Sequence, residues 1–218
     1  MSNQEPGGKR SGKIFTAIML FMFLVGLPIG SYIYLKKGYD YQKAAMRDLR
    51  KEHRMNTPPA LTMLDGTTQF AYDDYYHLIG LVPSAMEKEP YEKVLRQLHE
   101  QFDAPKNLMI WSVFENADQA SLQQFKENAQ LPKDTSQLLF WTATPPAFDR
   151  FVDDLQLQQE ELQALDSGLI VLVDDSLYVR KAFAFTEEGV LPQLVERTAI
   201  LLPERAKPKP ELRRKEEF

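Results

Sequence analysis

The stretch GLIVLVDDSLYVRKAFAF, residues 168–185, decides the fold. Five apolar residues, Leu169–Val173, are followed by an Asp-Asp-Ser triplet at 174–176 and then by residues 178–185, in which apolar side chains loosely alternate with polar ones. Two such runs on either side of a short polar turn are typical of a β-hairpin. We therefore expect two antiparallel strands near the end of the folded region.

Upstream of this hairpin, short apolar runs alternate with helical patterns. The runs YHLIGLV, LMIWSVF and LLFWT predict buried strands at residues 76–82, 108–114 and 138–142. Apolar residues at helical spacing predict helices over residues 91–102, around 122–129, around 148–155 and over 190–202. Before all of these, Asp65-Gly66 separates two short apolar runs in LTMLDGTTQF and predicts a first hairpin.

The predicted order is a hairpin, then β-α-β-α-β-α, then a second hairpin and a closing helix. Alternating strands and helices imply a partly parallel sheet with helices on both faces, and the late hairpin adds antiparallel strands. This order predicts an α/β fold of the thioredoxin-like type with an N-terminal β-hairpin. Trp111 and Trp141 fall within predicted strands and are expected in the core.

The N-terminal part of the chain contains a membrane anchor. Residues 14–35 carry no charge over 22 positions, enough to cross a hydrocarbon core of about 30 Å. Lys13 precedes the segment, and Lys36 and Lys37 follow it. The alternative is a cleaved signal peptide, but the apolar run is long for one and no small-residue cleavage site follows. Pro28 is expected to kink the helix.

These boundaries predict five regions. They are a cytoplasmic N-terminus at 1–13, a transmembrane helix at 14–35, a juxtamembrane stalk at 36–58, a folded domain at 59–203 and a charged, disordered tail at 204–218. The stalk is predicted to be helical as far as Met55. The Lys and Arg count beside the anchor would keep the domain in the cytoplasm, but long domains translocate largely regardless of such charges.

Composition excludes several kinds of chemistry. The net charge of −5 and the absence of an arginine-rich stripe argue against a nucleic-acid partner. The chain has no cysteine, which excludes disulfides, thiolate nucleophiles and cysteine-ligated metals. Glycines are scattered and form no phosphate-binding loop.

Three segments resemble the motifs of one known family. PALTMLDGTTQF is similar to its opening hairpin, WSVFENADQASLQQFKENAQLP to its strand, acidic loop and helix, and DSGLIVLVDDSLYVRKAFAF to its late hairpin. With the anchor and stalk, residues from about 59 to 202 resemble the SCO/SenC family. Its members are membrane-anchored thioredoxin-like proteins that deliver copper to cytochrome c oxidase or help to assemble it.

The chain departs from this family at its working residues. The resemblance places Ala85 and Glu89 at the two cysteine positions of the C-P-x-x-C-P motif, and only Pro90 is retained. It places Asp166 at the copper-binding histidine, followed by the retained Ser167. None of the replacements is a soft Cu(I) ligand. The resemblance thus implies the fold, the anchor and the partner, and we expect no catalytic residue, cofactor or metal site.

The loop around Ala85 has two structural interpretations. Residues 84–87, Ser-Ala-Met-Glu, match a capping box, in which the Ser84 hydroxyl and the Glu87 carboxylate each satisfy a backbone amide. Alternatively, the helix begins with Pro90 in its first turn. The sequence leaves both open.

Other chemistry is possible only with non-family groups. His53, His77 and His99 lie far apart in the predicted fold, which argues against a histidine metal site. A thioether Cu(I) site with His53 competes with a packing role for four methionines, Met46, Met55, Met63 and Met86. Asp166 with Glu89 is a further alternative, whereas a Ser84–Asp166 dyad lacks a base to activate the serine.

The sequence therefore supports three hypotheses. The first is a single-pass inner-membrane protein whose C-terminal domain lies on the periplasmic side and binds other proteins, as an assembly factor or accessory subunit of a respiratory cytochrome oxidase. The second is a metal-handling or catalytic protein that uses the methionines or Asp166. The third is an anchored binding module of another kind, because a fold does not fix a function.

Overall fold

The computed structural model describes residues 9–49, 53–55, 61–63, 74–102, 107–131, 137–185 and 189–202. They belong to two compact units, Met1–Arg47 and Asp48–Phe218. The first contains helix α1, Lys9–Phe21, a π-helical turn, Met22–Gly26, and most of helix α2, Leu27–Asp48. The helical stretch Ile14–Asp48 is long and apolar enough to cross a membrane, judged by its length and composition.

The irregularity in this helix precedes Pro28. The amide of Leu27 donates to the carbonyl of Met22, five residues earlier, as in a π-helix. Proline has no amide to donate to the carbonyl four residues before it, which here belongs to Leu24 within the π-helical turn. The structure thus has a π-helical turn just before Pro28, where the sequence predicts a kink.

The second unit is built on a seven-stranded sheet with the order β1-β7-β6-β3-β4-β5-β2. The central strands β3, β4 and β5 are parallel to one another, and all other pairs are antiparallel. The strands are β1 His53–Arg54, β2 Thr62–Met63, β3 Tyr76–Val82, β4 Leu108–Glu115, β5 Leu138–Ala143, β6 Leu169–Val173 and β7 Tyr178–Ala184.

Helices cover both faces of this sheet, as the alternating pattern predicts. Buried residues of α3, α4 and α7 form one apolar cluster with one face, and those of α5 form a second cluster with the other face. The helices of this unit are α3 Glu89–Gln101, α4 Gln119–Asn128, α5 Pro145–Asp154, α6 Gln159–Gln163 and α7 Val190–Leu201. Trp111 and Trp141 lie in the second cluster and are buried, as expected.

In the hairpin of β6 and β7, β6 has the predicted bounds, β7 ends one residue earlier than predicted, and a buried ion pair lies at the turn. Asp174 Oδ1 accepts hydrogen bonds from the amides of Ser176 and Tyr178 at 3.0 and 2.8 Å. Its second oxygen accepts from Arg180 Nε at 2.9 Å. The carboxylate thus satisfies the turn amides and neutralises the arginine, because a buried charge requires a partner.

The stalk prediction is wrong beyond Asp48. The helix ends there, and His53–Arg54 form strand β1, antiparallel to β7. Leu49 and Met55 are buried, in the first and second apolar clusters respectively. The folded unit therefore begins before residue 59, because these two apolar side chains pack into its core. The tail at 204–218 lies outside the described residues.

Most of the first predicted hairpin lies outside the described residues, and one helix was not predicted. Only Thr62–Met63 of the predicted first hairpin is described, and it pairs with β5; its turn at Asp65-Gly66 lies outside the described residues. Helix α6 was not predicted. It begins with a capping box formed by Gln158 and Glu161, and Glu161 Oε1 also accepts the amide of Ala182 in β7 at 3.4 Å.

Candidate functional site

The candidate site lies where the parallel strands β3, β4 and β5 end. Their carboxyl ends meet at one edge of the sheet, which is where open α/β sheets usually bind ligands. The loop that follows β3, residues 83–88, contains Ala85, which the resemblance aligns with the first cysteine of the SCO/SenC motif. The loop that follows β4, residues 116–118, begins directly after Glu115, to which Ser84 of the first loop donates a hydrogen bond.

Ser84 joins the loop after β3 to the end of β4. Its amide and its hydroxyl both donate to Glu115 Oε2, each at 2.9 Å. Glu115 is the last residue of β4, and Val82, the last residue of β3, pairs with Phe114 in the parallel ladder. The serine hydroxyl is therefore held by Glu115 and makes no capping bond to helix α3.

Helix α3 begins where the second of the two interpretations of this loop predicts. Lys88 is its N-cap residue, with no side-chain capping bond, and Pro90 lies in the first turn. The capping box at residues 84–87 is thus not formed, because Ser84 is engaged by Glu115 four residues before the cap. Glu89 lies in the first turn, where a negative charge is favourable, and pairs with Lys93 at 2.7 Å. The Lys93 hydrogen bond and charge lower the pKa of the Glu89 carboxyl.

Tyr91 anchors the first turn of α3 in the core. Its side chain is buried, and its hydroxyl lies 2.7 Å from Ser112 Oγ on β4. Burial raises the pKa of this phenol strongly, so it is neutral at any physiological pH. A methyl group on Gly80 of β3 would overlap the Tyr91 hydroxyl and ring. Gly80 thus leaves the space that this tyrosine occupies.

A second segment reaches the loop from the other side of β3. A 3₁₀ turn, Leu165–Ser167, ends at Gly168, whose φ of +86° favours glycine. A side chain at Gly168 would overlap Met86 Sδ and the ring of Phe185. Met86, in the loop after β3, therefore packs beside the backbone just before β6. Asp166 itself is exposed on the turn.

The charged side chains at this edge of the sheet are mostly acidic and exposed to solvent. Asp118 caps helix α4 by accepting the amide of Ser121 at 2.7 Å. Hydrogen bonds from Ser121 lower the pKa of Asp118, and the charge of Lys88 adds to this effect. Lys88 in the first loop and Asp118 in the second thus interact. Ala85, Glu89 and Asp166 are exposed, and within the described residues Ser84 forms its side-chain hydrogen bond with Glu115 and none with Asp166.

In the described part of the chain, the side chains that were candidates for binding a metal do not lie together. In that part, no group of three His, Asp or Glu side chains is placed to hold a metal ion. Met55 and Met86 lie in different apolar clusters on opposite faces of the sheet, which speaks against the methionine site. His53 Nε2 lies 2.8 Å from the carbonyl of Asp154, and the buried ring of His77 lies against Trp111 at a tilt of 54°. The side chain of Met63 lies outside the described residues.

Comparisons with known proteins fit this geometry. The sequence matches no protein-family profile and no curated protein. Many solved structures match at low identity, and three of them share 8–14% of their residues with this chain. A SCO1/SenC family lipoprotein from Bacillus anthracis str. Ames gives a TM-score of 0.53 over 72% of this chain and 98% of its own, at 13% identity. BsSco, a member of the Sco family of cytochrome c oxidase assembly proteins, gives 0.52 over 68% and 94%, at 14% identity. A protein described as a candidate disulfide isomerase from Bacteroides thetaiotaomicron gives 0.51 over 71% and 92%, at 8% identity.

The fold is thioredoxin-like. The thioredoxin-like domain keeps the strand–loop–helix geometry at the end of β3 and carries Ala85 in that loop. Glu115, which holds the loop through Ser84, is the site residue that sequence analysis missed. Its signal was its position at the end of a strand predicted to be parallel to β3.

Proposed function

We propose that this protein is a membrane-anchored, non-catalytic thioredoxin-like protein that acts by binding other proteins. Its partner is a respiratory cytochrome oxidase complex, for which it serves as an assembly factor or accessory subunit. The domain lies on the periplasmic side of the inner membrane, and the first 13 residues lie in the cytoplasm. It uses no metal or other cofactor.

The observation that carries this proposal is the loop after β3. It ends the strand and enters α3 through Pro90, yet its exposed groups are the hydroxyl of Ser84, the methyl of Ala85 and two carboxylates, Glu87 and Glu89. The hydroxyl is held by Glu115 and Glu89 by Lys93. None of these groups is a redox group or a soft metal ligand. What the loop offers is a shaped, ordered surface for another protein.

The partner is inferred from the resemblance and the fold. BsSco is described as belonging to a family of cytochrome c oxidase assembly proteins, and it shares the fold of this chain. The helix Ile14–Asp48 would place the domain beside membrane complexes. We infer that the chain has kept the partner of such proteins without their thiol and copper chemistry.

Purification of the full-length protein from native membranes in mild detergent tests the proposal. Haem spectra and protein identification on the eluate are expected to reveal oxidase or cytochrome subunits. Ala85→Arg, at an exposed position of the loop, should reduce their yield. Gln97→Arg, at an exposed position of α3, is the matched control and should not. Elution of the protein alone would refute the proposal that its partner is a cytochrome oxidase complex.

A separate experiment tests on which side of the membrane the C-terminal domain lies. A C-terminal fusion to a reporter that is active only outside the cytoplasm should be active, and a cytoplasmic reporter at the same position should be silent. The opposite pattern would overturn the periplasmic location and leave the fold unaffected.

A further inference from the structure

Helix α2 continues without interruption past the apolar segment. The charge-free stretch ends at Leu35, and the helix ends at Asp48. At 1.5 Å per residue, the last 13 residues extend the helix by about 20 Å. Residues 36–44 are all exposed in the structure. This part of the helix therefore leaves the hydrocarbon layer of a membrane and passes through the headgroup region.

Four basic side chains project from this helical extension: Lys36, Lys37, Lys43 and Arg47. We call them the basic collar. Within the described parts of the chain, none of the four forms an ion pair. The extension also carries Asp40 and Asp48, but the Asp48 carboxylate is engaged by Lys181 at 2.7 Å and by Arg197 at 3.1 Å. Four cations thus face a single uncommitted carboxylate, that of Asp40.

The position of the basic collar along the helix indicates the depth in the membrane at which its ligand lies. Lys36 and Lys37 directly follow the apolar span, and the exposed rings of Tyr32 and Tyr34 precede them, as at a membrane interface. Their ammonium groups therefore lie at the level of lipid phosphates. Lys43 lies about 9 Å further along the axis than Lys37, near one Debye length, and Arg47 about 15 Å further. Attraction to the surface thus falls from Lys37 to Arg47.

The central part of the folded domain has the opposite charge. Residues 55–202 contain 23 acidic and 10 basic side chains, a net charge of −13. An anionic membrane surface repels such a domain and attracts the collar. An acidic protein would also suit four cations, but Lys36 and Lys37 lie where phospholipid is the abundant ligand. The charge pattern therefore favours lipid as the ligand of the collar.

We propose that the basic collar binds the phosphate groups of anionic phospholipids in the leaflet at the C-terminal end of the span. Lys36 and Lys37 make the direct contacts, and Lys43 adds longer-range attraction. The inference rests on the membrane anchoring that the proposed function also assumes. Alkaline carbonate extraction separates the two: a protein released from membranes would refute the anchoring, whereas a retained protein without lipid preference would refute only the lipid site.

The test is native mass spectrometry of the full-length protein in mild detergent with equal amounts of phosphatidylglycerol and phosphatidylcholine of the same chain length. A basic group near an anionic surface contributes roughly fivefold to binding. Wild type should therefore retain phosphatidylglycerol in clear excess, and K36Q/K37Q should lose most of that excess. K43Q should have a smaller effect. Added glycerol 3-phosphate should not compete, because the site requires the lipid at the membrane interface.

Two controls keep the test specific. K93Q/R96Q removes two charges from helix α3 and should leave the lipid preference intact, whereas K9Q/R10Q/K13Q removes the cations on the other side of the span. A phosphatidylglycerol preference unchanged in K36Q/K37Q, or lost only in K9Q/R10Q/K13Q, would overturn the proposal. Competition by glycerol 3-phosphate would also overturn it. So would a K36Q/K37Q variant that loses a bound protein but retains its phosphatidylglycerol.

Discussion

The amide and the hydroxyl of Ser84 donate to one oxygen of Glu115, 31 residues away in the sequence. The bonds tie the loop after β3 to the end of β4. Both residues lie at the edge of the sheet where a ligand or partner would approach. The loop is therefore held in place by a carboxylate of the neighbouring strand.

Glu115→Ala should loosen this loop. A hydrogen bond of this kind contributes about 1 kcal/mol, so amide exchange at Ser84 should accelerate roughly fivefold to tenfold. Glu115→Gln keeps an acceptor oxygen and should have a smaller effect. Hydrogen exchange with mass spectrometry on the full-length protein measures both. Glu100→Ala, at an exposed position of α3, is the control. Equal exchange in all variants would contradict the assigned bonds.

Gly80→Ala should destabilise the domain. The added methyl group would overlap the Tyr91 hydroxyl and ring, which are fixed by Ser112 and by stacking on Phe125. Overpacking of this kind costs about 1–3 kcal/mol. Thermal unfolding followed by circular dichroism in detergent would measure the loss. Gly38→Ala is the matched control. It lies on the exposed helix with open space around it and should be neutral or stabilising by up to about 1 kcal/mol.

The ion pairs of Asp48 should make stability depend on pH. Hydrogen bonding to Lys181, reinforced by Arg197, lowers the pKa of Asp48. A carboxyl with a lowered pKa stabilises the folded state above its unfolded pKa, and this contribution is lost as the pH falls through the folded pKa. Because Asp48 is 40% exposed, Asp48→Asn should cost no more than about 1 kcal/mol at pH 7.

Urea unfolding of wild type and Asp48→Asn between pH 7 and pH 3 tests this dependence. The difference in the free energy of unfolding should remain constant down to about pH 5 and shrink below pH 4, where the carboxyl is protonated in the unfolded chain. Asp149→Asn, at an exposed position of α5, should show no comparable trend. A difference that grows at low pH would refute the assignment.

Wild type should not bind Cu(I) stoichiometrically, because the positions that the resemblance assigns to copper ligands hold Ala85, Glu89 and Asp166. The triple variant A85C/E89C/D166H should gain such binding if the resemblance has aligned the loops correctly. Titration against a Cu(I) chelator of known affinity measures both proteins. Stoichiometric binding by wild type that disappears on Met86→Leu or Met55→Leu would instead support a thioether site.

The strands and long helices could be predicted because each has a continuous or periodic apolar pattern. Strand β3 has the predicted bounds, since all seven residues of YHLIGLV fit a strand covered on both faces. Helix α6 was missed because Gln159–Gln163 contains a single apolar residue; the Gln158–Glu161 capping box was its only signal. The end of α2 was misplaced because the stretch up to Met55 is charged enough to continue an exposed helix.

The candidate site was only partly predictable. The sequence identifies Ala85, Glu89 and Asp166 through the resemblance, but not the partner of Ser84. That partner depends on the parallel register of β3 and β4, in which Val82 lies opposite Phe114. Register between strands separated by a helix is set by packing of the whole sheet, which a single sequence does not specify.

The carboxylate of Glu161 has a further consequence at the edge of the sheet. Among the described residues, β1 pairs only with Tyr178 and Val179, and Glu161 accepts the amide of Ala182 further along β7. A side chain that occupies an edge amide blocks the docking of a strand from another molecule. Loss of this carboxylate would therefore make the protein prone to aggregation through β7, even with its fold intact.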